Sequence, residues 1–166
     1  MFWIEILVFI LLCSFAYAAH RGAPWVPTWR RDFSRIKRLL DLKEGETFFE
    51  LGCGDGRVVC ALSDVSGAKG IGVELSFVQY LVARLRAWRR PLVCIELKDA
   101  FNVDLSEVDA VYLFLMSETY GKLCEKFEKE LKPGCRVVTY VWPIPGWVAT
   151  EVDRKGGRPP VYLYRR

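Results

Sequence analysis

The stretch Thr47-Phe48-Phe49-Glu50-Leu51-Gly52-Cys53-Gly54-Asp55-Gly56-Arg57 constrains this chain more than any other. Phe48, Phe49 and Leu51 favour a buried strand, and Glu50 is the one charge, set at that strand's end. Gly52, Gly54 and Gly56 carry no Cβ, so the backbone can turn tightly there and approach a ligand closely. A helix opening near Arg57 presents free backbone N–H groups at its N-terminus to a polar ligand. Strand, three-glycine turn and helix together predict an α/β fold with a nucleotide-like cofactor seated on the turn.

The spacing narrows the cofactor. Dinucleotide-binding dehydrogenases prefer G-x-G-x-x-G, with a helix N-terminus aimed at a pyrophosphate. This chain has G-x-G-x-G, with an acid before it and Asp55 inside it. A carboxylate there repels a pyrophosphate and suits a cationic, amine-bearing ligand. The loop resembles motif I of the class I S-adenosylmethionine-dependent methyltransferases, which holds the amino acid end of that cofactor. The resemblance makes Glu50, Gly52, Cys53, Gly54, Asp55, Gly56 and Arg57 candidate cofactor-binding residues.

Residues 57–65 suit a crossover helix, and residues 69–74 a second strand ending in an acid. Glu74 lies eighteen residues beyond Gly56. In a strand–helix–strand unit an acid there hydrogen-bonds ribose hydroxyls, in methyltransferases and dehydrogenases alike. Leu75 stands beside it; an ordinary strand-end surface Glu is the plainer alternative. Ser76 is expected to cap a helix to about Arg90, with Phe77, Tyr80, Leu81, Leu85 and Trp88 facing inward. Its four arginines (Arg84, Arg86, Arg89 and Arg90) read as a solvated face rather than a nucleic-acid surface. A third strand over 92–97 leads to Lys98-Asp99-Ala100-Phe101. Asp99 can accept from an adenine amino group there, with Ala100 and Phe101 as apolar cover, as in class I methyltransferases.

Residues 109–115 form a nearly continuous apolar run, as the middle of a parallel sheet requires. Residues 120–131 are amphipathic and stop at Lys132-Pro133-Gly134. Residues 135–142 make a fifth strand, and 148–153 with 161–164 a hairpin across Lys155-Gly156-Gly157. The expected fold is a doubly wound, Rossmann-like, seven-stranded sheet with helices between the first five strands and an antiparallel last strand.

The composition is 52% hydrophobic, a figure inflated by one end. Residues 2–19 are interrupted only by Glu5 and Ser14. As a helix they reach roughly 27 Å, against a hydrocarbon core of about 30 Å. Ala16-Tyr17-Ala18 could be a secretory cleavage site, but a signal peptide wants a basic leading region and this one offers Glu5. Basic residues instead follow: Arg21, Arg30, Arg31, Arg35, Lys37 and Arg38. The positive-inside rule then places the bulk of the chain on the cytoplasmic side, or the matrix side in a mitochondrion. The expectation is an N-terminal transmembrane helix over 1–19 that meets lipid through 2–19, a stiff linker over 20–29, and a catalytic domain over 30–166. Thr28 is expected to cap the next helix. The basic residues there read either as a solvated face or as contacts to anionic headgroups.

Six cysteines without a C-x-x-C pair argue against zinc and against a disulfide framework. The one histidine, His20, leaves no histidine base or triad for the chemistry. No metal is expected.

Over residues 24–164 the chain is similar to the seven-strand protein lysine methyltransferases of the archaeal broad-specificity type. Membrane-anchored relatives of that family modify the mitochondrial adenine nucleotide translocase and the ATP synthase c-subunit. The resemblance is carried by Pro24-Trp25-Val26-Pro27-Thr28, the glycine turn with Glu50 and Arg57, and Gly72-Val73-Glu74. Val103-Asp104-Leu105-Ser106, Phe114-Leu115, Glu128-Lys129-Glu130-Leu131-Lys132-Pro133-Gly134 and Gly146-Trp147 support it. It implies S-adenosyl-L-methionine as co-substrate and a protein partner with an accessible lysine, membrane proteins included. Nucleic acid is not expected. The acid or Asn, Pro-Pro and aromatic of nucleic-acid amino methyltransferases are here Met116-Ser117-Glu118-Thr119. The chain departs from the family at Glu50, usually Asp, and at Trp29, usually Pro.

A free lysine has a pKa near 10.4, so about one in two thousand is the nucleophilic free base at neutral pH. Correcting that costs roughly 4–5 kcal/mol; a nearby sulfonium and a dry channel both lower the lysine pKa. The expected catalytic contribution is therefore alignment, by Pro27, Thr28, Leu115, Met116 and Trp142, with no general base. Two other readings stay open: a methyltransferase for a membrane-soluble quinone or lipid precursor, and a non-catalytic cofactor-binding module.

Overall fold

The structure, a computed structural model, describes residues 2–6, 9 and 26–166. The apolar runs become strands β1 (Thr47–Leu51), β2 (Lys69–Glu74), β3 (Val93–Leu97), β4 (Ala110–Leu113) and β5 (Arg136–Tyr140). The hairpin supplies β6 (Glu151–Asp153) and β7 (Val161–Arg165). They form one sheet in the order β3-β2-β1-β4-β5-β7-β6. The first five strands are parallel, β7 is antiparallel to β5, and β6 is antiparallel to β7. The order reverses between β1 and β4, and in such sheets ligands bind beyond the strands' C-terminal ends at that point.

Alternate side chains serve opposite faces of the sheet. Phe48, Ala110, Tyr112, Val138 and Leu163 pack under helices α1 (Phe33–Leu40), α2 (Arg57–Ser66) and α3 (Phe77–Ala87). Phe49, Leu51, Val111, Leu113 and Val137 pack under α4 (Ser117–Glu130) and the chain around Val103, Leu105 and Val108. In α1, Ile36, Leu39 and Leu40 are buried, each burial stabilising by about 1.5–3 kcal/mol before entropy is counted.

Three local expectations change. No α-helix joins β3 to β4; a 3-10 turn over Ala100–Asn102 does. Helix α4 starts at Ser117, directly after the β4 edge, rather than at Tyr120. Helix α3 turns the other way: Gln79, Ala83 and Ala87 are buried and Tyr80 packs against the core as expected, while Phe77, Leu81, Leu85 and Trp88 are exposed. Small residues let α3 approach closely, since a Cβ on Gly56 would stand 3.0 Å from the Ala83 Cβ. Ser76 holds the cap position of α3 but makes no side-chain cap bond.

The basic cluster after the N-terminal segment also resolves. Arg35 is 5% exposed and reaches Asp32, both carboxylate and carbonyl of Asp153, and the Pro159 carbonyl. Arg38 reaches Glu151 and Asp153. These two arginines dock the β6–β7 hairpin onto α1, Arg35 from a buried position and Arg38 from the surface. Thr28, expected to cap a helix, instead shares a 2.9 Å hydrogen bond with the Tyr112 hydroxyl of β4.

The expected single-pass membrane localisation is corrected: among the described residues no helix is long and apolar enough to cross a membrane. A span needs about 20 consecutive apolar residues, and the described helical run 2–6 is short and contains Glu5. Residues 1, 7–8 and 10–25, which hold the remainder of the expected anchor and most of the expected linker, lie outside the described residues.

Candidate active site

Gly52, Gly54 and Gly56 all adopt left-handed backbone, with φ of 73°, 55° and 72°. Only glycine enters that region without strain. The N–H groups of Gly52 and Cys53 both reach the Val73 carbonyl at 2.9 Å, pinning the turn to β2. Cys53 packs beneath β2, where a Cβ on Gly72 would stand 2.9 Å from its Sγ. The N-terminus of α2, expected to offer free donors, is capped by the chain's own acids. Val59 N–H donates to Glu50 Oε2 at 2.7 Å, and Arg57 N–H to Asp55 Oδ1 at 3.3 Å.

Three carboxylates gather here. Glu50 is 4% exposed, and burial holds its carboxyl well above the usual range despite the Val59 donor; Asp55 and Glu74 push it further up. Burial also raises Glu74, partly offset by backbone donors. Burial would raise Asp55 too, but the Arg57 and Arg86 guanidiniums overcome it and hold that carboxyl below its usual value. Asp55 Oδ2 lies 2.8 Å from Nη2 of both arginines. The loop acid expected to meet the ligand's amine is therefore turned onto α3 and α2. It locks the turn, with Arg57 as its bidentate partner.

The ends of β1, β2 and β3 lie side by side. Glu74 Oε2 accepts from Gly54 N–H at 2.8 Å and Oε1 from Ser76 N–H at 2.7 Å. A carboxylate has about four lone-pair positions; with the Leu75 N–H also donating to it, one remains for a ligand hydroxyl. The Ser76 hydroxyl is buried without a hydrogen-bond partner. A buried, unsatisfied hydroxyl beside Glu74 is what a polar ligand at this edge would complete. Leu75 is half-buried next to it. Lys98 N–H ties the β3 end to the Glu74 carbonyl at 3.0 Å. Asp99 caps the following turn by accepting from Phe101 N–H at 3.0 Å, with Ala100 and Phe101 half-buried beside it. These residues fit an adenosine: a receptive carboxylate for a ribose hydroxyl, apolar cover for a base, and a turn whose N–H groups are taken by acids rather than left for a pyrophosphate. Among the described residues no group of three or more His, Cys, Asp or Glu could hold a metal ion.

The alignment candidates divide. Leu115 is buried over the glycine turn, where a Cβ on Gly52 would lie 2.5 Å from its Cδ2. Met116 and Trp142 are 42% and 43% exposed, just beyond the paired ends of β4 and β5. Thr28 is buried on Tyr112 and Pro27 half-buried before it. Sequence reasoning missed the unpartnered Ser76 hydroxyl beside Glu74, Arg86 as the lock on Asp55, and the seating of Trp142. Val141 has φ 75°, a genuine outlier for a β-branched residue. Its N–H reaches the Pro160 carbonyl, and Thr139 Oγ1 donates to the Trp142 carbonyl at 2.7 Å. A β-branched residue in the left-handed region carries no signature in the sequence.

The strand order, the acid-flanked glycine turn and the Glu74–Asp99 edge define a class I S-adenosylmethionine-dependent methyltransferase. The chain belongs to the family described as the ANTKMT methyltransferase domain, whose model matches residues 50–151. It is 33% identical over 156 residues to a protein-lysine N-methyltransferase of Saccharolobus islandicus, covering 90% of this chain and 96% of that one. It is also 33% identical over 136 residues to the adenine nucleotide translocase lysine N-methyltransferase of Mus musculus, covering 80% of this chain and 59% of that protein. An RNA methyltransferase from Salinibacter ruber, solved with S-adenosyl-L-homocysteine, superposes with a TM-score of 0.81 at 30% identity, covering 84% and 93% of the two chains. S-adenosyl-L-methionine is the co-substrate.

Proposed function

We propose that this chain is a protein-lysine N-methyltransferase acting on an accessible lysine of a polypeptide. The observation that carries this reading is the near end-to-end relationship to the archaeal protein-lysine enzyme. The site's own chemistry supports it. Bound S-adenosyl-L-methionine supplies an electrophilic sulfonium methyl group. The chain's residues hold its adenosine and keep its reacting end at the β1–β4 edge, with Glu74, Ser76 and Asp99 as polar contacts. Leu115, Met116 and Trp142 provide an apolar wall that disfavours the charged form of an incoming lysine. Once the amine has lost its proton to water, what remains is in-line alignment, which needs no basic side chain. The exposed Trp142 ring suits a methylated ammonium by cation–π attraction.

The test is a cell extract incubated with tritiated co-substrate and the enzyme, then separated into protein, lipid and RNA. Label is expected in protein, on lysine, and absent with Gly54→Arg. Label confined to lipid or to RNA would overturn the lysine reading, and co-substrate binding with no label in any fraction would favour a binding module.

A further inference from the structure

We infer that the cleft at residues 28–31 is a subsite for a carboxylate that the substrate polypeptide presents near its target lysine; this rests on the protein-lysine reading above. The cleft holds about 370 Å³ and is lined by Thr28, Trp29, Arg30, Arg31 and Arg57. Three arginines line it and no acid does. Arg30 and Arg31 are exposed, and neither has a carboxylate partner among the described residues. The Arg31 guanidinium carbon sits 3.9 Å from the centroid of the Trp29 ring, which holds it by cation–π attraction. The Arg31 carbonyl accepts from Arg158 Nη1 at 3.0 Å, so its backbone is fixed as well. Arg57 forms the inner wall. Its ion-pair partner, Asp55, is shared with Arg86, and burial holds the nearby Glu50 carboxyl toward its neutral form, which leaves a positive excess there.

Such an array attracts an anion, and planar guanidiniums match a carboxylate fork. Its place favours a substrate group over the co-substrate. The cofactor edge is lined by Glu50, Glu74 and Asp99, whereas Arg30 and Arg31 stand on the exposed rim beyond Thr28. A nucleic-acid track fits less well. On α3 and just after it, Arg86 is held by Asp55 and Arg90 by Asp64, while Arg84 and Arg89 lean over the Tyr80 and Trp88 rings and line no part of the cleft.

The experiment follows the Trp29 indole N–H by NMR, with and without S-adenosyl-L-homocysteine. The titrants are acetyl-Glu-Ala-Lys-Ala-Glu-amide and its Gln-for-Glu analogue. The acidic peptide is expected to shift Trp29 saturably. Affinity should fall by about fivefold or more with the Gln peptide, and likewise in the R30Q/R31Q double variant, as partly exposed ion pairs allow. The variant should bind S-adenosyl-L-homocysteine as tightly as the parent. Equal binding of the two peptides, or no saturable shift, overturns the inference. So does S-adenosyl-L-homocysteine blocking the acidic peptide, which would make the cleft the cofactor's own, or a uridylate hexamer displacing it at lower concentration. Failure of S-adenosyl-L-homocysteine to bind at all sinks the methyltransferase reading instead, while the peptide titration still decides the cleft.

Discussion

The glycine turn and the N-terminal cleft meet at Arg57, yet they are built in opposite ways. The turn is buried and acidic, and its donors are consumed internally by Glu50, Asp55 and Glu74. The cleft is open and basic, and two of its three arginines have no carboxylate partner among the described residues. A shared cofactor can be met by a site finished in advance. A varying polypeptide is better met by exposed side chains that substitution can change without disturbing the sheet. If that contrast is right, changes in the turn should alter cofactor binding and stability, and changes on the rim only substrate preference.

The largest expected effect lies under the cleft. Asp32 is fully buried and balances Arg35 and Arg158, with a further bond from the Tyr140 hydroxyl at 2.8 Å. Asp32→Ala leaves Arg35, which is 5% exposed, with Asp153 as its one carboxylate, and it also takes the acceptor from Arg158 and the Tyr140 hydroxyl; it should cost about 3–5 kcal/mol in urea unfolding. A loss under 1 kcal/mol would mean that Asp153 and the carbonyls alone satisfy Arg35. Next comes Glu74→Ala, which removes the acceptor for Gly54 and Ser76 and the ribose hydroxyl contact. S-adenosyl-L-homocysteine binding by calorimetry should weaken roughly 10- to 100-fold, from charged hydrogen bonds of about 1.5–3 kcal/mol. The same measurement on R30Q/R31Q should show no change; a matching loss there would erase the distinction between the regions. Gly52→Ala follows, at about 1–3 kcal/mol of backbone strain, visible as a lower unfolding midpoint.

The parts of this division that depend on neighbouring residues were legible in the sequence. Apolar runs and the Lys155-Gly156-Gly157 turn outlined all seven strands, and the spacing of Gly54, Glu74 and Asp99 set these residues at the ends of neighbouring strands. What escaped depended on partners far along the chain. Arg35 reads as one more surface arginine until Asp153, 118 residues away, is folded onto it. Asp55 reads as a ligand group until Arg86 arrives from α3. The periodicity of α3 contained two stripes, and the larger side chains suggested the wrong one. Ala83 and Ala87 won because the crossing beside Gly56 has room only for a methyl group. Residue size at a close crossing is set by the partner, which periodicity does not describe.

The smallest effect is the most discriminating, because two acids of one turn should respond to pH in opposite directions. Glu50 has a folded pKa above its unfolded value of about 4.3. The folded state therefore holds the extra proton. Stability from this group is fully present below the unfolded pKa and is lost as pH rises through the folded one. Asp55 is depressed by Arg57 and Arg86, so its contribution is present above its unfolded value of about 3.9 and is lost as pH falls through the folded one. Glu50→Gln keeps an oxygen to accept from Val59 N–H and removes the buried charge. Its urea midpoint should equal or exceed the parent's at pH 8, with the difference shrinking toward pH 5. Asp55→Asn should be less stable at pH 8, with its deficit shrinking as the parent's own carboxylate is protonated. Parallel slopes for the two variants would show that the turn titrates as a single acidic unit, not as a buried carboxyl beside a locked ion pair.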